Sequence, residues 1–340
     1  MNEIRTSLTE RLGIRWPIVQ APIGSGSTPE LAAAVTNAGG LGMLAVTWRS
    51  QQEITDVLET AKHATDGPLG ANIVLDPQAT DDSTDDQVDT VLATGIDLLS
   101  CSFGDCRAYV DRVHDAGALI AQTVGSVAEA QTAVEAGVDI VVAQGWEAGG
   151  HVQSEVATMP LVPRVVDAVP ETPVVAAGGI GDGRGIAAAL SLGAAGVWLG
   201  TRFIPTRESG FHAGYTQAVL DGTASQTVYG KPFARGWPDQ PHRVLRNDTV
   251  TRWEDAGRPP IGARPGDDDI VASQPDGRSV TRYSDEVPLE GSTGDVDELA
   301  HYAGQSVGLV EKRQSAAETV RQLGTETIEA LEHPVGVGES

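Results

Sequence analysis

Residues 173–203 read PVVAAGGIGDGRGIAAALSLGAAGVWLGTRF. Two short apolar runs, at Pro173–Ala177 and Gly196–Leu199, flank an alanine-rich stretch with glycines at both ends. Apolar runs of strand length separated by ten or so residues of helical character mark a strand–helix–strand unit. That rhythm of short apolar runs and helical stretches signals βαβ units and a parallel sheet. Asp182 stands where a helix N-cap accepts a backbone N–H, and Gly193 stands where the helix must turn back. The predicted helix is Asp182–Leu192.

The same unit recurs upstream. NAGGLGML and EAGVDIVV repeat the pattern of helix end, glycine and buried strand seen in LGAAGVWL. Working outward gives eight strand candidates: Pro17–Ala21, Gly42–Val46, Leu69–Val74, Asp97–Ser100, Leu119–Thr123, Asp139–Ala143, Pro173–Ala177 and Gly196–Leu199. Thr28–Asn37 and Ser126–Ala136 read as helices opened by Thr28 and Ser126. Eight such units fit a closed barrel better than an open dinucleotide-binding sheet. GSGSTP follows the first strand, but no acidic residue ends the second strand to hold a ribose. The expected fold is α/β, a (β/α)8 TIM barrel over residues 1–210, with helix 312–332 a candidate to complete it. Residues 211–311 are expected to form a smaller lid-like domain with a long loop at 245–292, rich in Gly, Pro, Asp and Arg. Two helices follow, at roughly Asp295–Leu309 and Ser315–Leu331.

The chain has 340 residues and a formal net charge of −24. That charge opposes nucleic-acid binding, which needs basic surface. No apolar run is long enough for a membrane span, and the N-terminus lacks a signal-peptide core. A cytoplasmic protein is the expectation. Lys62, Lys231 and Lys312 are its only lysines, against 47 Asp and Glu. Such a surface suits a salty cytoplasm, where ions screen self-repulsion, so a halophilic source is expected. Cys101 and Cys106 read as two free thiols, since no second pair exists for a metal site.

Function in a barrel gathers at the C-terminal ends of strands. The last two strands end in Gly178-Gly179 and Gly200-Thr201, and two glycine-rich turns there suit a phosphate group. The sixth strand runs into GWEAGGH, which delivers His151 to the barrel mouth. Imidazole titrates near neutrality, so it can take a proton from a carbon acid or hold an anion. His63, His114, His212, His242, His301 and His333 lack such a setting and read as surface or structural residues. Glu147 reads as structural. No nucleophile elbow, HExxH or P-loop is present, and no metal site is expected.

Together, QAPIGSGSTPELAAAVTNAGGLGML, GANIVLD, QTVGSVAEAQTAVEAGVDIVVAQGWEAGGHV and the opening stretch closely resemble the nitronate monooxygenase (2-nitropropane dioxygenase) family. YAGQSVGLV near the C-terminus resembles that family's tail. FabK-type flavin enoyl-acyl-carrier-protein reductases and NADH:quinone reductases share these motifs. The resemblance implies FMN as cofactor. Ala21, Pro22 and Ile23 would flank its ring, with Asn72 and Gln122 at its polar edge and Gly149 packed on it. Gly178, Gly179, Gly200 and Thr201 would hold its phosphate. His151 would be the base toward a nitroalkane or nitronate, with O2 as co-substrate. Three readings stand: a nitronate monooxygenase, an NADH-dependent flavin reductase of a quinone or enoyl thioester, and a non-enzymatic FMN-binding protein. NADH use and a homodimer are both left open. The acidic surface has its own test. The urea midpoint of unfolding is expected to rise between low and molar KCl, and a salt-indifferent midpoint contradicts the halophile reading.

Overall fold

Residues 3–79 and 83–332 are described by a computed structural model of the chain. Its strands in chain order are β1 (Ile18–Gln20), β2 (Gly42–Ala45), β3 (Leu69–Val74), β4 (Leu98–Ser102), β5 (Leu119–Val124), β6 (Ile140–Gln144), the two-residue β7 (Gly150–His151), β8 (Val174–Ala177) and β9 (Gly196–Leu199). All but β7 form one parallel eight-stranded sheet in the order β1-β9-β8-β6-β5-β4-β3-β2. Leu41 closes it. Gln20 N–H donates to the Leu41 carbonyl at 2.9 Å, and Leu41 N–H donates to the Ile18 carbonyl at 2.9 Å. The result is the (β/α)8 barrel, with every strand within two residues of its expected bounds.

A short α1 (Ser7–Leu12) precedes β1, its Leu8 and Leu12 packing with the barrel-interior side chains. The ring helices are α2 (Pro29–Asn37), α3 (Gln51–His63), α4 (Thr84–Ala93), α5 (Val110–Asp115), α6 (Val127–Glu135), α7 (Thr158–Ala168) and α8 (Gly183–Ser191), with the C-terminal helix described below in the eighth place. Thr28, Ser126 and Asp182 cap α2, α6 and α8 through their side chains, as expected. Strand alternation sorts the core into two layers. Val19, Met43, Leu98, Ala121, Val142 and Val175 fill the barrel interior. Leu31, Ile54, Val88, Ile120, Val141 and Ile186 pack between sheet and helices.

Beyond the barrel come α9 (Ala213–Asp221), β10 (Thr227–Gly230), β11 (His242–Leu245), α10 (Asp248–Asp255), β12 (Ile270–Ser273), β13 (Ser279–Thr281) and β14 (Thr293–Gly294). The antiparallel pair β10–β11 is extended by β7, so the small sheet takes its third strand from the barrel's own loop. The stretch 245–292 expected as a long loop therefore holds a helix and the strand pair β12–β13, which β14 just past its end extends to three strands. Its order comes from polar pairing instead of apolar periodicity. Arg264, 4% exposed, donates to Asp267 at 2.7 Å and lies 4.4 Å from the Tyr283 ring centroid. The expected helix Asp295–Leu309 is also corrected. Only short 3-10 turns form there, at Val296–Glu298 and Gln305–Leu309. Between them the backbone is committed to β11: Leu245 N–H donates to the His301 carbonyl at 2.8 Å, and Tyr302 bridges Val244.

The final helix, α11 (Ala316–Glu332), returns to pack on α8 and α2, and Glu326 accepts the Gly183 N–H at 3.1 Å. Among the described residues no helix is long and apolar enough to cross a membrane. Helix α11 can approach because Gly324 lies against Trp16, where a Cβ would stand 2.5 Å from the indole. Gly324→Leu gains helix propensity of about 1 kcal/mol but overpacks this contact by about 1–3 kcal/mol or more. A net loss of stability is expected, read as a lower urea midpoint at unchanged slope.

Candidate active site at the barrel mouth

His151 is held by its backbone. Strand β6 ends at Gln144, and the chain returns through Gly145–Gly149 to form β7. Gln144 bridges the two limbs: its Nε2 donates to the His151 carbonyl at 3.2 Å, and its Oε1 accepts the Gln153 N–H at 2.8 Å. From the other side β11 pairs His242 opposite His151 and Arg243 opposite Gly150, and Val152 N–H donates to the Pro241 carbonyl at 3.0 Å.

The imidazole sits in an aromatic box. Ring centroids lie 4.4 Å away at Trp237, 5.3 Å at His242, 5.5 Å at Tyr302 and 6.4 Å at Phe103. Its Nε2 is buried without a hydrogen-bond partner. Burial, and secondarily the neighbouring His242, hold its pKa well below the usual histidine value, so the ring is neutral. His242 is neutral too, with its tautomer set. Phe233 N–H donates to its Nε2 at 3.0 Å, leaving Nδ1–H to face the Gln240 carbonyl at 3.2 Å. Burial pushes its pKa down to about 4. A cleft of about 300 Å³ opens beside this box, lined by Phe103, Gly104, Val152, Gln153, Tyr229 and Gln240 among others.

The expected glycine turns form an arc along the same rim. Gly178 and Gly179 have φ of 100° and 72°, a backbone that side chains rarely adopt. Gly149 is required for another reason: a Cβ there would stand 2.3 Å from Gly304 N. Gly304 N–H in turn donates to Thr201 Oγ1 at 2.9 Å. Gly200 faces Ile23 and Ala21, with Pro22 between those two in the chain. The ends of β1, β6, β8 and β9 thus converge, and the YAGQS segment is laid into their junction. Beside Thr201, Arg202 is 5% exposed and its Nε is buried without a partner. Burial lowers its pKa, opposed by Glu326, Asp182 and Glu311. An anion is the group that would satisfy it.

The two amides part company. Asn72 is paired across the sheet with Ala45 and Ser100 on the inward face, and its Oδ1 accepts from Ser100 Oγ at 2.7 Å. Gln122 is paired with Cys101 and Val141, both in the layer under the helices, so it points away from the barrel interior. There its Oε1 accepts the Cys106 N–H at 3.2 Å and its Nε2 donates to the Gly104 carbonyl at 2.9 Å. Gln122 therefore steadies the 103–106 loop from behind.

Glu147 is structural, accepting from Thr158 N–H and Oγ1 at the start of α7. Cys101 and Cys106 are free thiols. Of the other histidines, His63 and His114 are exposed, and His212 caps α9 through the Gly214 N–H. His301 is buried and stacked on Tyr215 at 4.7 Å. His242 lies in the box itself, which the sequence reading did not foresee; His333 lies outside the described residues. Trp237, Tyr302, Phe103 and Gln144 were also missed. Among the described residues no His, Cys, Asp and Glu group could hold a metal ion.

A TIM barrel with two buried neutral imidazoles and a glycine-rich arc at its C-terminal mouth is an enzyme-like site on a known scaffold. A model of the nitronate monooxygenase family matches residues 5–326, and the chain belongs to that family. It is 40% identical over 262 residues to (3aS,4S,5R,7aS)-5-hydroxy-7a-methyl-1-oxo-octahydro-1H-indene-4-carboxyl-CoA dehydrogenase of Mycobacterium tuberculosis, covering 75% of this chain and 70% of that one. It is 31% identical over 271 residues to a Staphylococcus aureus protein named as a probable nitronate monooxygenase, covering 68% and 76%. Among solved structures, FabK from Thermotoga maritima superposes with a TM-score of 0.78 at 29% identity, covering 97% of this chain and 98% of that one. Nitroalkane oxidase from Streptomyces ansochromogenes gives 0.76 at 31% identity, covering 95% and 98%. The family and these relatives are oxidoreductases.

The buried histidines make stability depend on pH. His242 and His301 both titrate near 4 when folded, against about 6.5 when unfolded. The stability they contribute is complete above about pH 6.5 and is lost as pH falls toward 4. The unfolding free energy is expected to fall over that window by roughly 3 kcal/mol for each histidine. A His242→Gln variant should lose part of that slope in denaturant titrations; an identical slope contradicts the assignment.

Proposed function

We propose that the protein is an FMN-dependent nitronate monooxygenase that oxidises alkyl nitronates with O2, with His151 as the base. The observation that carries this reading is the His151 ring: neutral, with a buried and unpartnered Nε2, at the mouth of the barrel. Only a neutral imidazole can take a proton, and an unpartnered nitrogen is free to take it from substrate carbon. The imidazolium formed in this way stands beside the nitronate anion, and the two charges offset each other in a site of low polarity. Gln144 and β11 hold the ring in place while this happens, and Trp237 and Phe103 keep water away.

The residues present fit FMN. The buried Arg202 Nε has no hydrogen-bond partner, and Gly178, Gly179, Gly200 and Thr201 would hold the phosphate. Ala21, Pro22 and Ile23 would flank the ring system, Gly149 and Asn72 would border it, and Gln122 would act through the 103–106 loop. FMN bound there would supply the oxidation of the nitronate and the reaction with O2.

A second reading, an NADH-dependent flavin reductase acting on an enoyl thioester or a quinone, is favoured by the relatives. Those with 40% and 38% identity are named for a CoA-thioester dehydrogenase, and FabK shares the fold along its length. His151→Asn separates base from scaffold. The variant is expected to keep FMN and turnover of preformed nitronate, while activity on the neutral nitroalkane falls by about 10²-fold or more. Unchanged turnover of the neutral nitroalkane contradicts the role given to His151.

A further inference from the structure

The connection between β10 and β11, residues 231–241, carries Trp237 across onto the barrel mouth. Trp237 is 1% exposed. Its indole lies 4.4 Å from the His151 ring at 37° and meets Phe103 edge-on at 4.8 Å. Val74 and Ala79 complete an apolar seat beneath it. The Pro232–Arg235 end of the segment is bonded to the small domain, with Arg264 donating to the Pro232 carbonyl at 3.0 Å and Arg235 N–H to the Tyr283 carbonyl at 3.1 Å, while its Trp237–Gln240 end is attached to the barrel. Trp237 Nε1–H donates to Asp76 Oδ2 at 2.9 Å, and Gln240 Nε2 donates to the same oxygen at 3.1 Å. Asp76 Oδ1 is itself fixed by the Gln78 N–H at 2.9 Å. One carboxylate just past β3 therefore ties down the indole and the end of the segment that bears it.

Two backbone features show that this seat is built. Phe103 has φ of 56°, a left-handed conformation that is costly for an aromatic residue and persists only where its surroundings impose it. The result is a ring turned toward Trp237. Gly236, at φ of 119°, brings the chain so close to Asp285 that a Cβ would stand 2.2 Å from its Oδ1. The chain next to Trp237 is thereby pressed against the 285 turn, and Tyr302 Oη–H donates to the Asp285 carbonyl at 3.1 Å. The surroundings of Trp237 thus run from Asp76 on one side to Tyr302 on the other, with His151 between.

We propose that Trp237 is the specificity-determining wall of the substrate site, and that Asp76 is the latch holding it over His151. The inference rests on the reading of His151 as the reacting base. The indole packs at 4.4 Å on the ring whose Nε2 is buried, so it would set which substituents can reach that nitrogen, and a smaller side chain there would admit bulkier ones. Release of the Asp76 bonds lets the indole and the Trp237–Gln240 stretch shift off His151 and admit substrate, while Pro232–Arg235 stays bonded to the small domain. Asp76 is a positioning residue, since it acts only through the indole and Gln240.

The test labels imidazoles with diethyl pyrocarbonate and follows each histidine by peptide mass spectrometry, using the protein as purified. His63 and His114, both exposed, serve as internal references. His151 is expected to react slowly in the wild type. Relative to His63 it should react on the order of tenfold faster in Asp76→Leu, which loses three hydrogen bonds to a charged group, two of them from Trp237 and Gln240. Asp76→Asn, which keeps an acceptor oxygen, should fall between. Trp237→Phe keeps a ring in the seat and tests the indole N–H alone, with faster labelling than wild type expected. In parallel, kcat/KM across 1-nitropropane, 2-nitropropane and phenylnitromethane should shift toward the bulkier compounds in Trp237→Ala, through KM more than kcat. Equal His151-to-His63 ratios in wild type and Asp76→Leu overturn the latch. An unchanged substrate order in Trp237→Ala overturns the wall. Wild-type protein with no nitroalkane turnover defeats the nitronate reading, while the labelling ratios still decide Asp76 and Trp237.

Discussion

The short antiparallel pairing of Gly150–His151 with His242–Arg243 is the joint on which the mouth of this molecule depends. A barrel loop seven residues past its strand would ordinarily wander. Here it is drawn into a second sheet, and the small domain is drawn onto the barrel by the same bonds. The YAGQS segment follows as a consequence. It continues along the edge of β11 that β7 occupies, since β10 covers the other, and lands against Gly149 and Thr201, which closes the circle from β11 back to the glycine arc. Position of the imidazole, docking of the small sheet and shape of the anion site are one constraint seen from three sides.

Burial then decides the chemistry. In a chain of net charge −24, many cations are spent on surface pairs, as Arg112 is with Asp85 and Asp89. Arg264 shows the buried alternative, with Asp267 at 2.7 Å. Arg202 differs from both: it is buried, and its Nε has no partner. A guanidinium held in that way is costly unless a ligand completes it. The same low polarity keeps His151 and His242 uncharged, so the mouth presents a neutral proton acceptor, with the unpartnered Arg202 Nε next to Thr201 past the end of β9. That combination suits a reaction in which an anion forms from a neutral substrate.

Much of this was legible in the residues. The strand–glycine–helix rhythm placed eight barrel strands within two residues, and GWEAGGH singled out one histidine among seven because it follows a strand end. Gln122 shows where such reading is fragile. Side chains alternate along a strand, so a one-residue difference separates the barrel interior from the helix layer, and only its pairing with Cys101 and Val141 reveals which side it takes. His242 and Trp237 lay hidden for another reason. They stand in a Pro- and Gly-rich stretch with no periodicity, and their importance comes from long-range pairing with β7 and Asp76. Leu299–Ala303 was likewise claimed by β11 against its helical appearance.

Anaerobic mixing of the purified holoprotein, first with a nitronate and separately with NADH, tests the central claim most directly. Loss or change of the oxidised flavin absorbance on adding nitronate, with none on adding NADH, is the predicted result. Bleaching by NADH with no response to nitronate would contradict it and assign the site to a reductase.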